Sequence, residues 1–415
     1  MKLAQDMAAQ VLLACLANPE GDNADPLARL SKSESDHLLM LAQRSRCAAL
    51  IHHIAARAGS ETPISRQLAH EARDQALTSL AQARGLVRTM RVLHEAGMEP
   101  IALKGVALAY RDYPAPQLRV LRDVDLLLPA SEVEQAHSLL LSQEGFVPAP
   151  WAGQYGPEFG HQLPEIVDEE HGLVIELHHR LNARGWAGDA RLCEMIRAET
   201  EEIELMGEAI RVPSARLNLL HLVEHATLHH VFSNGPTILA DLHYLAKANA
   251  LDWEAVLSKA RELQLMRPLE LVVMLGLRHG AEWIPAQIES QSLIPVHILD
   301  AADRAMLARG ETHRQLAQLW RLAGRSEGGT GTMSAAARAL HPNQNELAYL
   351  TQRSPRSRLR WLGYPRWAIE KGVRFFKARS TVKRSGEYAG YASLCSWIAG
   401  EFSTGEDSFI AGEAG

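Results

Sequence analysis

The segment that most restricts the fold is Arg119-Val-Leu-Arg122-Asp123-Val124-Asp125-Leu126-Leu127-Leu128. Its Val and Leu run, closed by Pro129, reads as a strand over Val124–Leu128. Side chains alternate along a strand, so Asp123 and Asp125 share one face while Val124, Leu126 and Leu128 take the other. One face of such a sheet must be covered by apolar partners, and the other must open on something that accepts charge. Two carboxylates on one face repel each other and are costly to bury without a cation between them. A hard divalent ion such as Mg2+ meets that need, with water and phosphate oxygens as its remaining ligands. A strand edge whose aspartates face solvent, or pair with Arg119 and Arg122, would satisfy the same pattern.

The surrounding chain places this strand in a helical protein. Residues 1–97 read as helices, with Ser35 and Asp36 offering a cap before Leu38 and a long helix from about Ser65 to Ala96 stopping at Gly97. After Pro100 the texture changes. Ile101-Ala102-Leu103 is a short strand ending in Lys104-Gly105, and a helix follows to about Asp112. Ser131 and Glu134 have the spacing of a capping box, opening a helix that ends at Gly145. Ile166–Asp168 and Leu173–His178, joined by a turn at 169–172, read as a β-hairpin. In its second arm Leu173, Ile175 and Leu177 form an apolar face, and Glu176 and His178 fall on the opposite one. Glu176 is a candidate third metal ligand, or an ordinary exposed glutamate. After Pro213 helices resume, including one carrying Leu217, Leu220, His221, Glu224 and Leu228, then others over 252–263 and 268–279.

The predicted fold class is α+β and predominantly helical, with a small mixed-sheet core over 98–212. Helical regions at 1–97 and 213–323 flank it, and 324–415 holds a linker, a basic aromatic segment and a tail. A chain of 415 residues suits two or three packed units. No apolar run approaches the ~18–20 residues that cross a bilayer. The four cysteines, Cys15, Cys47, Cys193 and Cys395, contain no C-x-x-C pair, which fits a reducing compartment and predicts a cytoplasmic protein. Leu12-Leu13-Ala14-Cys15 has the look of a lipoprotein cleavage site, but Asp6 and Gln10 interrupt the apolar stretch a signal peptide needs.

Three further features carry competing chemistry. His221-x-x-Glu224-His225 matches an inverted zinc-peptidase pattern, and His229 extends the same face by a turn. The alternatives for these histidines are the acceptor side of a cleft, or polar groups satisfied between helices. Gly324 to Gly329 has P-loop spacing, but Thr330 stands where lysine is required, so it reads as a linker. The net charge of −6 hides a basic segment: residues 351–385 hold eleven Lys or Arg against one Glu, among Trp361, Tyr364, Trp367, Phe375 and Phe376. That composition suits nucleic acid, an anionic membrane surface or an acidic peptide, or else an amphipathic helix packed by its aromatics.

Ile101-Ala-Leu-Lys104-Gly105, Tyr113-Pro114, Arg119, Asp123-x-Asp125-Leu-Leu and Gly145-Phe146 together resemble the uncharacterised nucleotidyltransferase family of the DNA polymerase β-like superfamily. Glu176-Leu-His178-His179-Arg180-Leu181 is similar to that family's acidic-x-His segment, where aspartate is commoner than glutamate. His221 to His225, Asp241 and Leu251-Asp252-Trp253 resemble its downstream helical region. The resemblance implies Mg2+-dependent transfer of a nucleotidyl group from an NTP to an unidentified small molecule, peptide or protein. Asp123, Asp125 and Glu176 would hold one or two ions, with Glu176 a ligand or the base toward the acceptor. Lys104, Gly105, Arg119 and Arg122 would meet the nucleotide, and His178, His225 and His229 the acceptor. A member that binds nucleotide without turnover is the other outcome. The Gly-Ser that cradles phosphates in the wider superfamily is here Lys104-Gly105-Val106. Mutual repulsion of the three carboxylates further predicts that neutralising any one leaves metal-free stability equal or higher.

Overall fold

The computed structural model describes residues 6–57, 63–152, 160–182, 186–284, 294–308, 310–322 and 387–400, together with parts of 347–373. The glycine-rich stretch 324–331 and much of the basic segment lie outside the described residues. The fold is α+β and predominantly helical, built on a seven-stranded mixed sheet.

The first helices are α1 (Met7–Ala17), α2 (Ala24–Ala28), α3 (Lys32–Arg44), α4 (Ala48–Arg57) and α5 (Pro63–Glu95). Helix α1 is capped by the Asp6 carboxylate, which accepts from the Ala9 N–H at 3.2 Å. Its Cys15 is buried, as are Cys47, Cys193 and Cys395, and all four are free thiols. Helix α3 starts earlier than the predicted Ser35–Asp36 cap. Ser31 and Glu34 form a reciprocal capping box there, and Ser35 is buried inside the helix. The signal was legible, since Ser-x-x-Glu satisfies two orphan donors where Ser35 would satisfy one. Helix α5 ends as predicted, with Gly97 at φ +75° and the Met98 N–H bonded back to the Leu93 carbonyl.

The strands are β1 (Ile101–Ala102), β2 (Val124–Leu127), β3 (Phe146–Pro148), β4 (Ile166–Asp168), β5 (Leu173–His178), β6 (Thr200–Leu205) and β7 (Glu208–Pro213). Their order across the sheet is β3-β4-β5-β2-β1-β7-β6. Strand β2 sits inside, antiparallel to β1 and parallel to β5, and all four of its residues are buried. The hairpin β4–β5 forms as predicted. Strands β3, β6 and β7 were not foreseen. The β6–β7 hairpin had a readable signal: Ile203, Leu205, Ile210 and Val212 alternate around Met206-Gly207, whose φ values of +52° and +81° suit a two-residue hairpin turn.

The two faces of the sheet belong to different cores. Val124, Leu126 and Leu128 pack with Leu173, Ile175 and Leu177 against Leu86, Met90 and Leu93 of α5 and against Val133, Ala136 and Leu140 of α7 (Val133–Leu141). Between β1 and α7 lies the short α6 (Gly105–Ala107), which runs into a π-helical turn over Leu108–Asp112. The predicted capping box at Ser131 does not form. Helix α7 begins at Val133, and the Pro129 carbonyl accepts the N–H groups of Glu132 and Val133, so backbone closes the turn. Ile101, Leu103 and Leu127, on the other face, join a larger core built from helices on both sides of the sheet in sequence. These are α1 to α5, then α8 (Asp189–Ala198), α9 (Ala215–Glu224), α10 (Thr237–Ala248), α11 (Trp253–Glu262) and α12 (Met266–Arg278), with helices Val296–Leu307 and Glu387–Ile398. No described helix is long and apolar enough to cross a membrane. In the described part of the basic segment, Trp367 is buried whereas Trp361, Leu362 and Ile369 are exposed.

One ion pair ties α5 to the far edge of the sheet. Arg88 donates to the fully buried Asp168 carboxylate at 2.9 Å and lies over the Phe146 ring, 4.4 Å from its centroid. His171 Nδ1 meets the other Asp168 oxygen at 2.8 Å. Arg88→Ala should lower unfolding free energy by roughly 3 kcal/mol, because it strands a buried carboxylate. Arg88→Ala combined with Asp168→Asn should cost clearly less than the sum of the singles in denaturant titrations, and simple additivity would show that the pair is not coupled.

Candidate functional site

The parallel pairing of β2 with β5 aligns Asp125 with Glu176 and Leu127 with His178. Because the apolar residues of both strands are committed to the α5–α7 face, Asp125, Glu176 and His178 project together from the opposite one. Ligand atoms from these three lie within 4.8 Å of one another. Asp123, just before β2, stands beside them and feels both carboxylates. The predicted trio of Asp123, Asp125 and Glu176 is thus brought to one place, with His178 the closer third partner of the Asp125–Glu176 pair.

Lys104 completes the cluster from β1. The Leu103 N–H donates to the Asp125 carbonyl at 2.9 Å, which fixes the end of β1 against β2. Lys104 then adopts φ +44°, ψ −103°, a conformation unfavourable for a side-chain-bearing residue. That turn aims Nζ at Asp125 Oδ2, 3.0 Å away. Next in chain, Gly105 permits close approach, since a Cβ there would stand 2.9 Å from Leu121 Cδ2. The helix it opens has only three residues before the π turn, too short to add the dipole expected at a phosphate-binding helix start.

The charges do not cancel evenly. Burial would raise the Asp125 carboxyl, but Lys104 and His178 hold it well below the usual carboxylate range. His178 Nε2 lies 2.9 Å from Asp125 Oδ1 and 3.3 Å from Glu176 Oε2. Burial pulls the His178 imidazole down, and those hydrogen bonds outweigh it, lifting it to about 9. Asp123 goes the other way. Burial first, then the Asp125 and Glu176 charges, push its carboxyl up to about 6. Three carboxylates therefore face two cations, Lys104 and the imidazolium of His178, and the surplus negative charge settles on Asp123. A divalent cation fits that donor set, since each Asp125 oxygen keeps a second lone pair beyond its present bond.

These groups line a cleft of about 500 Å3 between the sheet and the helices. Arg119 lines it too, but its charge is already engaged. Its Nε and Nη2 reach the buried Asp241 of α10 at 2.6 and 3.0 Å, and the Tyr113 hydroxyl donates to the same carboxylate at 2.7 Å. Burial and then Asp241 drive the Tyr113 hydroxyl well above its ordinary value. This triad clamps α10 to the loop before β2. Arg122 is exposed at the rim, facing Arg46 from the α3–α4 corner. Burial and the Arg122 charge pull Arg46 down, while Asp123 opposes them. Neither Arg46 nor Arg122 has an ion-pair partner among the described residues. Sequence reasoning missed Arg46, because nothing marks a residue 77 positions before Asp123 as its neighbour. Its φ of +55° continues the end of α3 in the left-handed region and turns it inward.

A histidine-rich wall adjoins the acidic cluster. Helix α9 passes into a π-helical turn over His225–His229, and ligand atoms of His225, His229 and His230 lie within 4.8 Å of one another. His161, which carried no sequence signal, packs edge-on between His178 and His229 at centroid distances of 5.2 and 5.4 Å. Burial and the His178 and Lys104 charges push it down to about 3, so it is neutral. Burial and Lys104 likewise hold His221 and His225 well below the usual histidine range. The pattern His221-x-x-Glu224-His225 does not assemble as a ligand set among the described residues. The fully buried Glu224 accepts from the Asn182 amide, and the His221 and His225 rings stand 6.2 Å apart. His225 keeps α-helical register with His221, its N–H bonding to the His221 carbonyl, and the π turn displaces only the residues after it, His229 among them.

No curated protein and no solved structure matches the chain. The family model described as uncharacterised nucleotidyltransferase matches residues 31–277, which hold the strands, Lys104, the acidic cluster and the histidine-rich turn, and more than half of the chain. The chain therefore belongs to the uncharacterised nucleotidyltransferase family.

Proposed function

We propose that this cleft moves a nucleotidyl group from an NTP to an acceptor in an Mg2+-dependent reaction. The observation that carries the proposal is the in-register alignment of Asp125 and Glu176 on adjacent parallel strands, beside an Asp123 whose charge Lys104 and Arg122 only partly offset. Asp123, Asp125 and Glu176 are the residues that would hold the ion. Mg2+ supplies charge neutralisation at the transferring phosphorus and orients the phosphate oxygens. Lys104 and His178 fix the Asp125 carboxylate from both sides, so that it meets a ligand without reorganising. Arg122, expected with Arg119 to meet the nucleotide, and Arg46 neutralise the triphosphate at the rim. His161 and His225, held neutral by burial, and His229 beside them face the acceptor. A small molecule, peptide or protein with a free hydroxyl would suit that space.

Incubating the protein with each labelled NTP, Mg2+ and a lysate of its host should yield a labelled product. Asp123→Asn and Asp125→Asn should each abolish it, and an Asp125→Asn protein with full transfer activity would sink the proposal.

The carboxylates should separate by stability, contrary to the uniform gain that repulsion alone predicts. Without metal near pH 7–8, Asp123→Asn should raise unfolding free energy by roughly 1–2 kcal/mol, since it removes an ionised carboxyl that burial and two neighbours disfavour. The carboxyl is raised in the fold, so the gain should shrink as pH falls from about 6 toward its ordinary value of 3.8 and Asp123 takes up a proton. Asp125→Asn should instead lower stability, because it strands Lys104 and His178 in a buried site. Thermal melts of the two variants with opposite signs are the expected result.

The arginines should divide as well. Arg46→Gln and Arg122→Gln should each raise the KM for NTP by about tenfold with little change in Tm, as loss of ground-state phosphate binding does. Arg119→Gln should lower Tm by several degrees, because it uncovers the buried Asp241. Loss of NTP binding without loss of stability in Arg119→Gln would restore Arg119 as the phosphate contact.

A further inference from the structure

We infer that His225, His229 and His230 form a second metal site, selective for a borderline transition ion of the zinc type, on the helical wall of the cleft. The carboxylate cluster offers oxygens to a hard cation. This group offers three imidazoles and no carboxylate, a donor set that favours Zn2+, Co2+ or Ni2+ over Mg2+.

The backbone is distorted in a way that brings the rings together. A regular α-helix would carry His229 one turn beyond His225 and send His230 around the side. Here the π turn over His225–His229 widens the helix, and the chain reverses immediately after it. Val231 and Phe232 both adopt left-handed conformations, at φ +46° and +63°. These are costly for a β-branched and an aromatic residue. The reversal is held by the Phe232 N–H bonding to the Ala226 carbonyl and by His313 Nε2 donating to the Val231 carbonyl at 2.8 Å. Its outcome is that His230 folds back and its Nε2 stands 3.1 Å from His225 Nε2. Two imidazoles on one tetrahedral zinc, with Zn–N of about 2.0–2.1 Å, place their nitrogens roughly 3.3 Å apart. The observed spacing is within a few tenths of an ångström of that requirement.

The supporting contact also has the form that ligating histidines use. The Ser233 hydroxyl lies 3.3 Å from His230 Nδ1, which fixes the ring and leaves Nε2 for His225 or for an ion between them. His225, His229 and His230 all line the cleft, so an ion on three imidazoles keeps its fourth position toward the space where an acceptor enters. An oxygen of the acceptor is the donor that position would take. This last step rests on the transfer reading, but the metal site itself does not, and the two fail separately.

The test uses the full chain, stripped with chelator and kept in excess Mg2+ so that the carboxylate cluster is occupied. Co2+ uptake is followed by its visible ligand-field spectrum, and Zn2+ affinity by competition with a chromophoric chelator. One ion per chain is expected, with the intense spectrum of low-coordinate cobalt. His229→Gln and His230→Gln should each weaken Zn2+ binding by about 100-fold, since each removes one of three ligands. Asp125→Asn should leave the zinc stoichiometry and the cobalt spectrum unchanged. X-ray absorption on the zinc-loaded wild-type chain should count three imidazoles, and it needs no variant to fold. Uptake of no Zn2+, uptake insensitive to both histidine variants, loss of uptake in Asp125→Asn, or a shell with two or fewer imidazoles would each overturn the site.

Discussion

Everything at the cleft depends on the parallel pairing of Val124–Leu127 with Leu173–His178. A shift of one residue in that register would turn every side chain of one strand to the opposite face. Asp125 and Glu176 would then no longer stand side by side, and a carboxylate would enter the α5–α7 core. The register is fixed from the apolar side, where Val124, Leu126, Ile175 and Leu177 are fully or almost fully buried. Hydrophobic packing on one face thus positions mutually repelling charges on the other. The repulsion remains in the structure, concentrated on Asp123, while Lys104 and His178 neutralise its neighbour.

The sequence made the parts of this site legible where alternation along a strand was enough to read them. Asp125, Glu176 and His178 could be assigned faces because Leu and Val occupied every other position. What it could not show was which cation belonged to which carboxylate. Arg119 looked like a phosphate ligand, yet it closes on Asp241 of α10, a contact between residues 122 positions apart. Arg46 gave no sign at all. Such pairings follow from tertiary packing, and no local pattern encodes them. The single face expected of His221, His225 and His229 breaks for a different reason. It assumes α-helical spacing, which holds from His221 to His225 and gives way to a π turn before His229.

Element boundaries show the same division. Helices ended by local chemistry, such as α5 at Gly97, were readable. The start of α7 was not, because backbone bonds to Pro129 replaced the side-chain cap that Ser131 offered. The β6–β7 hairpin was readable in principle from its alternation around Met206-Gly207, but three glutamates on β6 hid the apolar face of this edge strand.

The parallel pairing also has a kinetic consequence. Strands β2 and β5 meet only after the intervening chain, with α7 and two further strands, has been laid down. Contacts of that sequence separation require the closure entropy of a long loop before they return any free energy. The β4–β5 and β6–β7 hairpins and the α4–α5 pair can form locally, whereas the joining of β2 to β5 cannot. The acidic cluster therefore forms after these local pieces. Until it does, Asp123, Asp125 and Glu176 remain hydrated and apart, so a chain caught short of that step has its helices but no cleft.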